Sequence, residues 1–345
     1  MFNNKKILIV MMLLSVITLL AACSGDSETS DAENGDGETS GETIELKYAE
    51  VNPEGHPMTD AAEKFAEIVN EKSDGRISIN VYPAGQLGNE TENMEGLQMG
   101  SIDFMRANPS VIANFGIEKM NVLSLPFIFE GREHLWNVLD SDIGDELKED
   151  INSSDTGFQT VMFVEEGARN FFFTDKVVKT PADMEGIKVR VQENELMVDL
   201  VEALGASPTP VSYSELYSAL QTGIVEGAEN PPAAYLANAF YEVADKLTLN
   251  QHVFAPNFIL TSSNTWDELS EADQELLFEA GKETESFVKE IAQIADDEAL
   301  AELEENGVEI TEIDDPQAWQ DAVQPLYEKH GAGYEELIER IIETE

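Results

Sequence analysis

Thr43-Ile-Glu-Leu-Lys-Tyr48 alternates apolar and polar residues, which places Ile44, Leu46 and Tyr48 on one face of a strand. Ala61, Ala62, Phe65, Ala66, Ile68 and Val69 recur instead at helical spacing, and Ser73-Asp-Gly75 stops that helix. Arg76–Tyr82 returns to a strand pattern before Pro83 and Gly85 turn the chain. A helix over 90–99 and a short strand over 102–105 follow. A second run begins near Gln159, with strands near 160–164, 168–173 and 187–191. It continues through helices near 195–204 and 215–221 to a strand over 224–228. Beyond Ser270 the pattern is helical, with long acidic helices to Gly307 and again from Pro316. There is no short-period repeat. Strands alternating with helices predict an α/β protein with largely parallel sheets covered by helices, and two such runs predict two lobes. Ligands of α/β sheets gather outside the carboxyl ends of the strands.

The first residues read differently. Lys5 and Lys6 precede a largely apolar run from Ile7 to Leu20, followed by Ala21-Ala22-Cys23. A basic start, a short apolar segment and small residues before a cut form a secretory signal over 1–22. The run is shorter than the roughly 20 residues that a permanent span needs. Leu20-Ala-Ala-Cys23 resembles the bacterial lipoprotein processing box, which implies a diacylated Cys23 as mature N-terminus. Two acyl chains anchor stably where one is marginal. The expected location is therefore extracytoplasmic, on the outer face of the cytoplasmic membrane, the periplasmic side if the cell has an outer membrane. Cys23 is the single cysteine, so no intramolecular disulfide is possible. Residues 24–42 are almost free of apolar side chains and read, with Cys23, as a flexible acidic tether. Asp31–Glu42 has the length of a calcium loop, but Asp36 stands where such a loop needs glycine. No metal is expected.

Composition narrows the partners. The 345 residues carry 69 acidic against 20 basic side chains, a net charge of −49. That charge opposes binding to nucleic acid and to anionic membrane surfaces, and suits solubility in a salty medium. A hydrophobic content of 42% is enough for substantial cores in roughly two domains.

The chemistry is first one of elimination. The chain lacks G-x-S-x-G, H-E-x-x-H, G-x-x-x-x-G-K-[ST] and a strand-linked G-x-G-x-x-G. His56, His134, His252 and His330 have no paired-ligand spacing. Carboxylates are too common for any pair to stand out. The reading is a non-enzyme without cofactor. Arginine is the scarce residue: Arg76, Arg106, Arg132, Arg169, Arg190 and Arg340. Arg169 and Arg190 lie among strand-forming residues, where a planar fork can meet a carboxylate bidentately. An arginine on a strand also serves in surface ion pairs, and so many nearby acids leave that alternative open.

Thr180–Tyr235, with TPADMEGIKVRVQENELMVDLVEALGASPTPVSYSELYSALQTGIVEGAENPPAAY, resembles the signature region of DctP-type solute-binding proteins of TRAP transporters. FAEIVNEKSDGRISINVYPAGQLG from Phe65 and the helical C-terminus are similar too, so the resemblance spans everything after the tether. It implies a two-lobe fold like the type II periplasmic binding proteins, with a long interlobe helix and a helical C-terminus. Lobe I would comprise 43–166 and about 256–297, lobe II 167–255 and about 298–345. The protein would close on an organic acid and pass it, chemically unchanged, to sodium-coupled TRAP permease subunits. A monomer is expected. Carried over by motif, Arg190 resembles the arginine that forms the principal salt bridge to the ligand carboxylate, Arg169 the supporting one, and Asn230 the asparagine bonding the same group. Tyr213 matches an aromatic position near the ligand or ordinary packing. Glu193 is a candidate acceptor of sugar hydroxyls or a solvated helix start. Glu215 matches a family position that orients neighbours. His56 either lines the cleft from lobe I or is a turn residue. The segments 101–108, 125–129 and 189–193 look more like relatives that bind hexuronates than those taking simple dicarboxylates. Arg106, Asn108, Gln192 and Glu193 would then serve a polyhydroxylated ligand, unless Arg106 simply pairs with a nearby acid. Glucuronate or galacturonate is the favoured ligand, with a C4-dicarboxylate second and a sensor-associated binding module as a further alternative.

Overall fold

The computed structural model describes residues 43–345. The signal, the tether and Cys23 lie outside the described residues. Among the described residues, nine strands form one mixed sheet: β1 (Ile44–Ala49), β2 (Ile77–Tyr82), β3 (Phe104–Ala107), β4 (Phe158–Phe173), β5 (Lys188–Val191), β6 (Ser207–Pro210), β7 (Gly227–Asn230), β8 (Lys246–Ser262) and β9 (Glu309–Glu312). The helices are α1 (Pro57–Lys72), α2 (Glu90–Met99), α3 (Pro109–Asn114), α4 (Arg132–Leu139), α5 (Asp142–Asn152), α6 (Glu195–Ala203) and α7 (Leu216–Gln221). They continue with α8 (Pro232–Ala237), α9 (Ser263–Glu268), α10 (Glu271–Glu305), α11 (Pro316–Val323), α12 (Pro325–His330) and α13 (Glu335–Glu343).

The strand order is β2-β1-β3-β8-β4-β7-β5-β6, with β9 also on β8. On the first side β1 pairs in parallel with β2 and β3; on the second β5 pairs in parallel with β6 and β7. Between them run β4 and β8, antiparallel to each other along their whole length and shared by both lobes. The expected largely parallel sheets are thus joined by an antiparallel ribbon. The separate strands expected over 160–164 and 168–173 are one strand, interrupted by register shifts. One of these lies between Glu165 and Ala168, opposite Pro256 and Phe254. An extra residue at such a bulge re-aims the side chains around it and tolerates a proline in the partner.

Local sequence explains the elements that flank the cleft. The apolar face foreseen for α1 is buried except for the half-buried Ala66, and Pro57 occupies its first turn. Asn89 and Glu92 form a reciprocal capping box on α2, and Gly100 closes it in the left-handed region. Helix α10 spans roughly 50 Å at 1.5 Å per residue. Its buried stripe begins with Leu277, Ala280 and Val288 in the first lobe's core and ends with Leu303 in the second's.

The C-terminus departs from expectation in its helix lengths. The helix foreseen from Pro316 is three short helices, because Pro325 interrupts the first and Gly331 and Gly333 separate the last two. Helices α11 and α12 pack on α6, and α13 packs on α5. There Arg340 donates to Glu146 at 2.6 Å, and the Ile341 carbonyl lies 2.8 Å from His134 Nε2.

Candidate functional site

The cleft forms where β1, β3, β5, β6 and β7 end. Val51 and Asn52 follow β1, Arg106 and Asn108 stand at the end of β3, Gln192 follows β5, Tyr213 follows β6 and Asn230 closes β7. Glu166 and Arg169 enter from the bulged stretch of β4, and Glu90 from the first turn of α2. Three adjoining cavities of ≈20, ≈30 and ≈20 Å³ divide this space. Each has room for about one or two waters. Cross-cleft hydrogen bonds hold the lobes together: Ser110 Oγ donates to Gln192 Oε1 at 2.5 Å, Asn114 Nδ2 to the Glu193 carbonyl at 2.7 Å, and Asn194 Nδ2 to the Ser110 carbonyl at 3.0 Å. With these bonds made, the cavities are too small for anything beyond a few waters.

The three arginines of the cleft are in different states. Arg106 lies on Glu50 through Nε and Nη2, each at 3.2 Å, while Nη1 donates to Asn257 at 2.9 Å. Arg169 forks onto Glu229 through Nε and Nη2. Burial disfavours the Arg169 charge, but Glu229 outweighs it and holds the guanidinium above its ordinary range. The same pairing holds the Glu229 carboxyl down at about 2 against its own burial. Arg190 is 2% exposed and forms no ion pair among the described residues. Its Nε donates to the Val211 carbonyl at 2.8 Å, its guanidinium sits 5.6 Å from the Tyr213 ring centroid, and Nη1 is buried without a partner. Burial lowers its proton affinity, with Arg169 adding to the effect while Glu229 and Glu90 oppose it. Asn230 Nδ2 is likewise buried and unpartnered. Two orphaned donors in one cleft are costly unless an acceptor is supplied.

The remaining sequence candidates divide. Gln192 reaches across the cleft to Ser110, as above. Asn108 caps α3, accepting from the Val111 amide at 3.1 Å, and donates to Glu90 Oε1 at 3.3 Å. The hydroxyl of Tyr213 accepts from Asn238 at 2.9 Å. Glu215 accepts from Ser212 Oγ at 2.9 Å, tying its own turn. Arg106 is anchored by the nearby acid, with its face still lining the cavity. His56 is the N-cap of α1: Nδ1 accepts from the Met58 amide at 3.0 Å, and Nε2 lies 3.7 Å from Glu166. Complete burial lowers its pKa to about 4, although Glu166 and Glu50 pull the other way. Nε2 is buried without a hydrogen-bond partner, and His56 is not among the residues lining the cavity. The Glu193 side chain is exposed at the rim, and only its carbonyl takes part in closure.

Four acids escaped the sequence reading: Glu50, Glu90, Glu166 and Glu229. Each is one of 69 acidic residues, so residue type carried no signal. Glu229 alone had a positional clue, standing beside Asn230 in Ala228-Glu-Asn-Pro231.

Known proteins place this geometry. Residues 48–333 match the model of the family described as bacterial extracellular solute-binding protein, family 7, DctP. A TRAP periplasmic solute-binding protein from Bradyrhizobium, solved with α/β-D-galacturonate, superposes with a TM-score of 0.83 at 33% identity, over 87% of this chain and 100% of that one. Its counterpart from Pseudomonas putida F1, with bound D-glucuronate, also gives 0.83, at 29% identity over 86% and 96%. The C4-dicarboxylate-binding protein DctB of Bacillus subtilis is 29% identical over 304 residues, 87% of this chain and 86% of DctB. With two α/β lobes on a shared ribbon, a long helix across both and an arginine-lined cleft between them, the chain belongs to the DctP family of TRAP solute-binding proteins.

Proposed function

We propose that this protein captures a hexuronate, glucuronate or galacturonate, and hands it chemically unchanged to a TRAP permease. The observation that carries the reading is the buried Arg190 guanidinium without an ion-pair partner, lining one cavity of the cleft, and the unpartnered Asn230 amide lining the adjoining one. A ligand carboxylate supplies the acceptors that both lack, and it recovers the desolvation cost already built into the ligand-free fold. In this reading Arg190 meets the carboxylate as a fork, Asn230 donates to the same group, and Arg169 supports it with the nitrogen that Glu229 leaves free. Tyr213 backs the Arg190 face. Asn108, Gln192 and Arg106 bound the rest of the ligand, Glu193 stands at the rim of the Arg190 cavity, and His56 lies behind the lining.

The mechanism is a shift between open and closed populations. A ligand favours closure only by the difference in its affinity for the two forms. Contacts from both lobes supply that difference here, since Arg190 and Asn230 come from the second and Asn108 from the first. The uronates bound by the structural neighbours support the ligand class. Thermal melts with D-glucuronate, D-galacturonate, succinate and malate test it. A uronate at about 100 times its dissociation constant should add about 2.7 kcal/mol of stability. Stabilisation by malate or succinate alone overturns the choice of ligand, and recovery of a converted product overturns the transport reading.

The same proposal includes a lipid anchor at Cys23, on the strength of Leu20-Ala-Ala-Cys23 and the acidic tether after it. Labelled palmitate should enter the wild-type chain and not the Cys23→Ser variant. Equal labelling of both chains removes the anchor from the picture.

A further inference from the structure

We propose that Asp296 of α10 is a positioning residue for ligand binding: it caps the start of α8 from outside and so sets where Asn230 presents its amide to the ligand carboxylate. This rests on the function proposed above and deepens it.

The need for such a residue is written in the sequence. Asn230 ends β7, and α8 begins at Pro232, directly after Pro231. A helix start leaves its first amides without partners, and a Ser, Thr, Asp or Asn at the N-cap normally meets one of them. Here Pro231 stands at the N-cap and has no side-chain acceptor to offer. Pro232 has no N–H, so the Ala233 amide is the first donor of α8. It donates to Oδ1 of Asp296, 63 residues further along the chain, at 3.4 Å. An acid of the long helix thus takes the place of the missing cap, where negative charge is also favourable. The Asn230 side chain has no guide of its own, since its Nδ2 is buried without a partner. Its place depends on the backbone to either side: the β4 ladder, where Asn230 faces Asn170, and the start of α8.

Asp296 is held so that one oxygen points at α8. Its other oxygen, Oδ2, accepts from Arg132 Nη2 at 3.0 Å. Arg132 is fixed in turn, donating through Nε to Glu165 of β4 and through Nη1 to Gln293 of α10. Gly167 closes the remaining side: a Cβ there would lie 2.3 Å from Oδ2 and 3.2 Å from Oδ1, so the carboxylate has no room to turn toward β4. All four groups are drawn from separate parts of the fold, since Arg132 starts α4, Glu165 and Gly167 lie on β4, and Ala233 is in the first turn of α8. A carboxylate offers an acceptor to Arg132 and to Ala233 at once. An asparagine of the same volume offers one oxygen, and its amide then turns a donor toward the other donor. Asp296→Asn therefore releases either the guanidinium that aims the side chain or the amide that it caps.

Calorimetric titration of the full chain in detergent tests this, with D-glucuronate, D-galacturonate, succinate and malate. The proteins are wild type, Asp296→Asn, Asn230→Ala and the double variant, and ligand-detected NMR extends the titrations to weak binding. Asp296→Asn should weaken binding of the preferred acid by about 5- to 30-fold, short of the roughly 10- to 100-fold for outright loss of a hydrogen bond to a charged group. In the Asn230→Ala background the same change should cost less than about twofold, because a residue that acts through Asn230 then has nothing left to position. An Asp296 that only supports the fold would shift the melting temperature and leave the two penalties equal. Equal penalties, or wild-type affinity in Asp296→Asn, overturn the positioning role and leave the uronate reading standing. Arg132→Lys reaches the same point without altering α10, since a lysine cannot fork onto Glu165 and Asp296 together. It should show the same dependence on Asn230, which decides the matter if Asp296→Asn does not fold. A wild type that prefers succinate or malate overturns the uronate reading alone, as the cycle then runs on the carboxylate of that acid. Binding of none of the four overturns both.

Discussion

Replacing Arg190 with methionine is expected to weaken ligand binding by about a hundred- to a thousandfold and to raise the melting temperature of the ligand-free protein. The two effects share one cause. Arg190 carries a positive charge into the interior, where among the described residues no carboxylate forms an ion pair with it, Glu229 and Glu90 act only from a distance, and Nη1 has no acceptor. Methionine fills a similar volume without the charge. The lost bond from Nε leaves the Val211 carbonyl without that donor, at a cost of about 1 kcal/mol. Removal of an uncompensated buried cation outweighs this, for a net gain of about 1–3 kcal/mol. Arg190→Lys separates charge from geometry: it keeps a point charge, loses the fork, and should weaken binding without the gain in stability. Calorimetry and thermal melts on the three proteins decide the matter. A methionine variant that melts below wild type and still binds with wild-type affinity would falsify the assignment of Arg190 to the ligand carboxylate.

Such a trade of stability for binding explains why this part of the site was readable from sequence. With six arginines among 345 residues, each one on a strand was a short-list candidate, and the motif around Arg190 narrowed it further. The acids were invisible for the opposite reason, since composition drowned Glu50, Glu90, Glu166 and Glu229 among their like. Their importance comes from burial and from which partners they lack, and neither is encoded locally. The fold divides in the same way. Helices α1 and α2 follow from apolar spacing and end signals, and the structure bounds α2 at Glu90–Met99 as the pattern did. Strand β8 was missed because Asn250-Gln-His252 and Pro256 interrupt its apolar pattern. Those residues are tolerated because tertiary partners absorb them: Asn250 Oδ1 accepts from the Phe171 amide at 3.4 Å, His252 stacks on Phe171 at 4.3 Å, and Pro256 faces the β4 irregularity. The crossing of the ribbon between lobes is a long-range property that no window of sequence contains.

Gly167→Ala, at that crossing, is expected to destabilise the protein by about 3–5 kcal/mol. Two penalties combine. Gly167 has φ +99, in the region where a side chain is strained, and its added Cβ would lie 2.3 Å from Asp296 Oδ2. Asp296 cannot simply swing aside. It is buried within α10, accepts from Arg132 Nη2 at 3.0 Å and from the Ala233 amide at 3.4 Å, and thereby ties α10 to α4 and to the start of α8. Burial pushes its carboxyl up to about 6 despite Arg132, so the site is already taut electrostatically. The two penalties separate in an Asp296→Ala background, where the contact is gone and the backbone strain remains. There the same glycine substitution should cost only about 1–3 kcal/mol, and the difference between backgrounds is the contact itself. Urea unfolding of the four proteins measures all of these. Equal penalties in both backgrounds would mean that α10 does not press on the ribbon at this point. A reduced penalty would mean that the bulge carrying Glu166 and Arg169 into the cleft holds its shape because glycine alone lets the long helix pass so close.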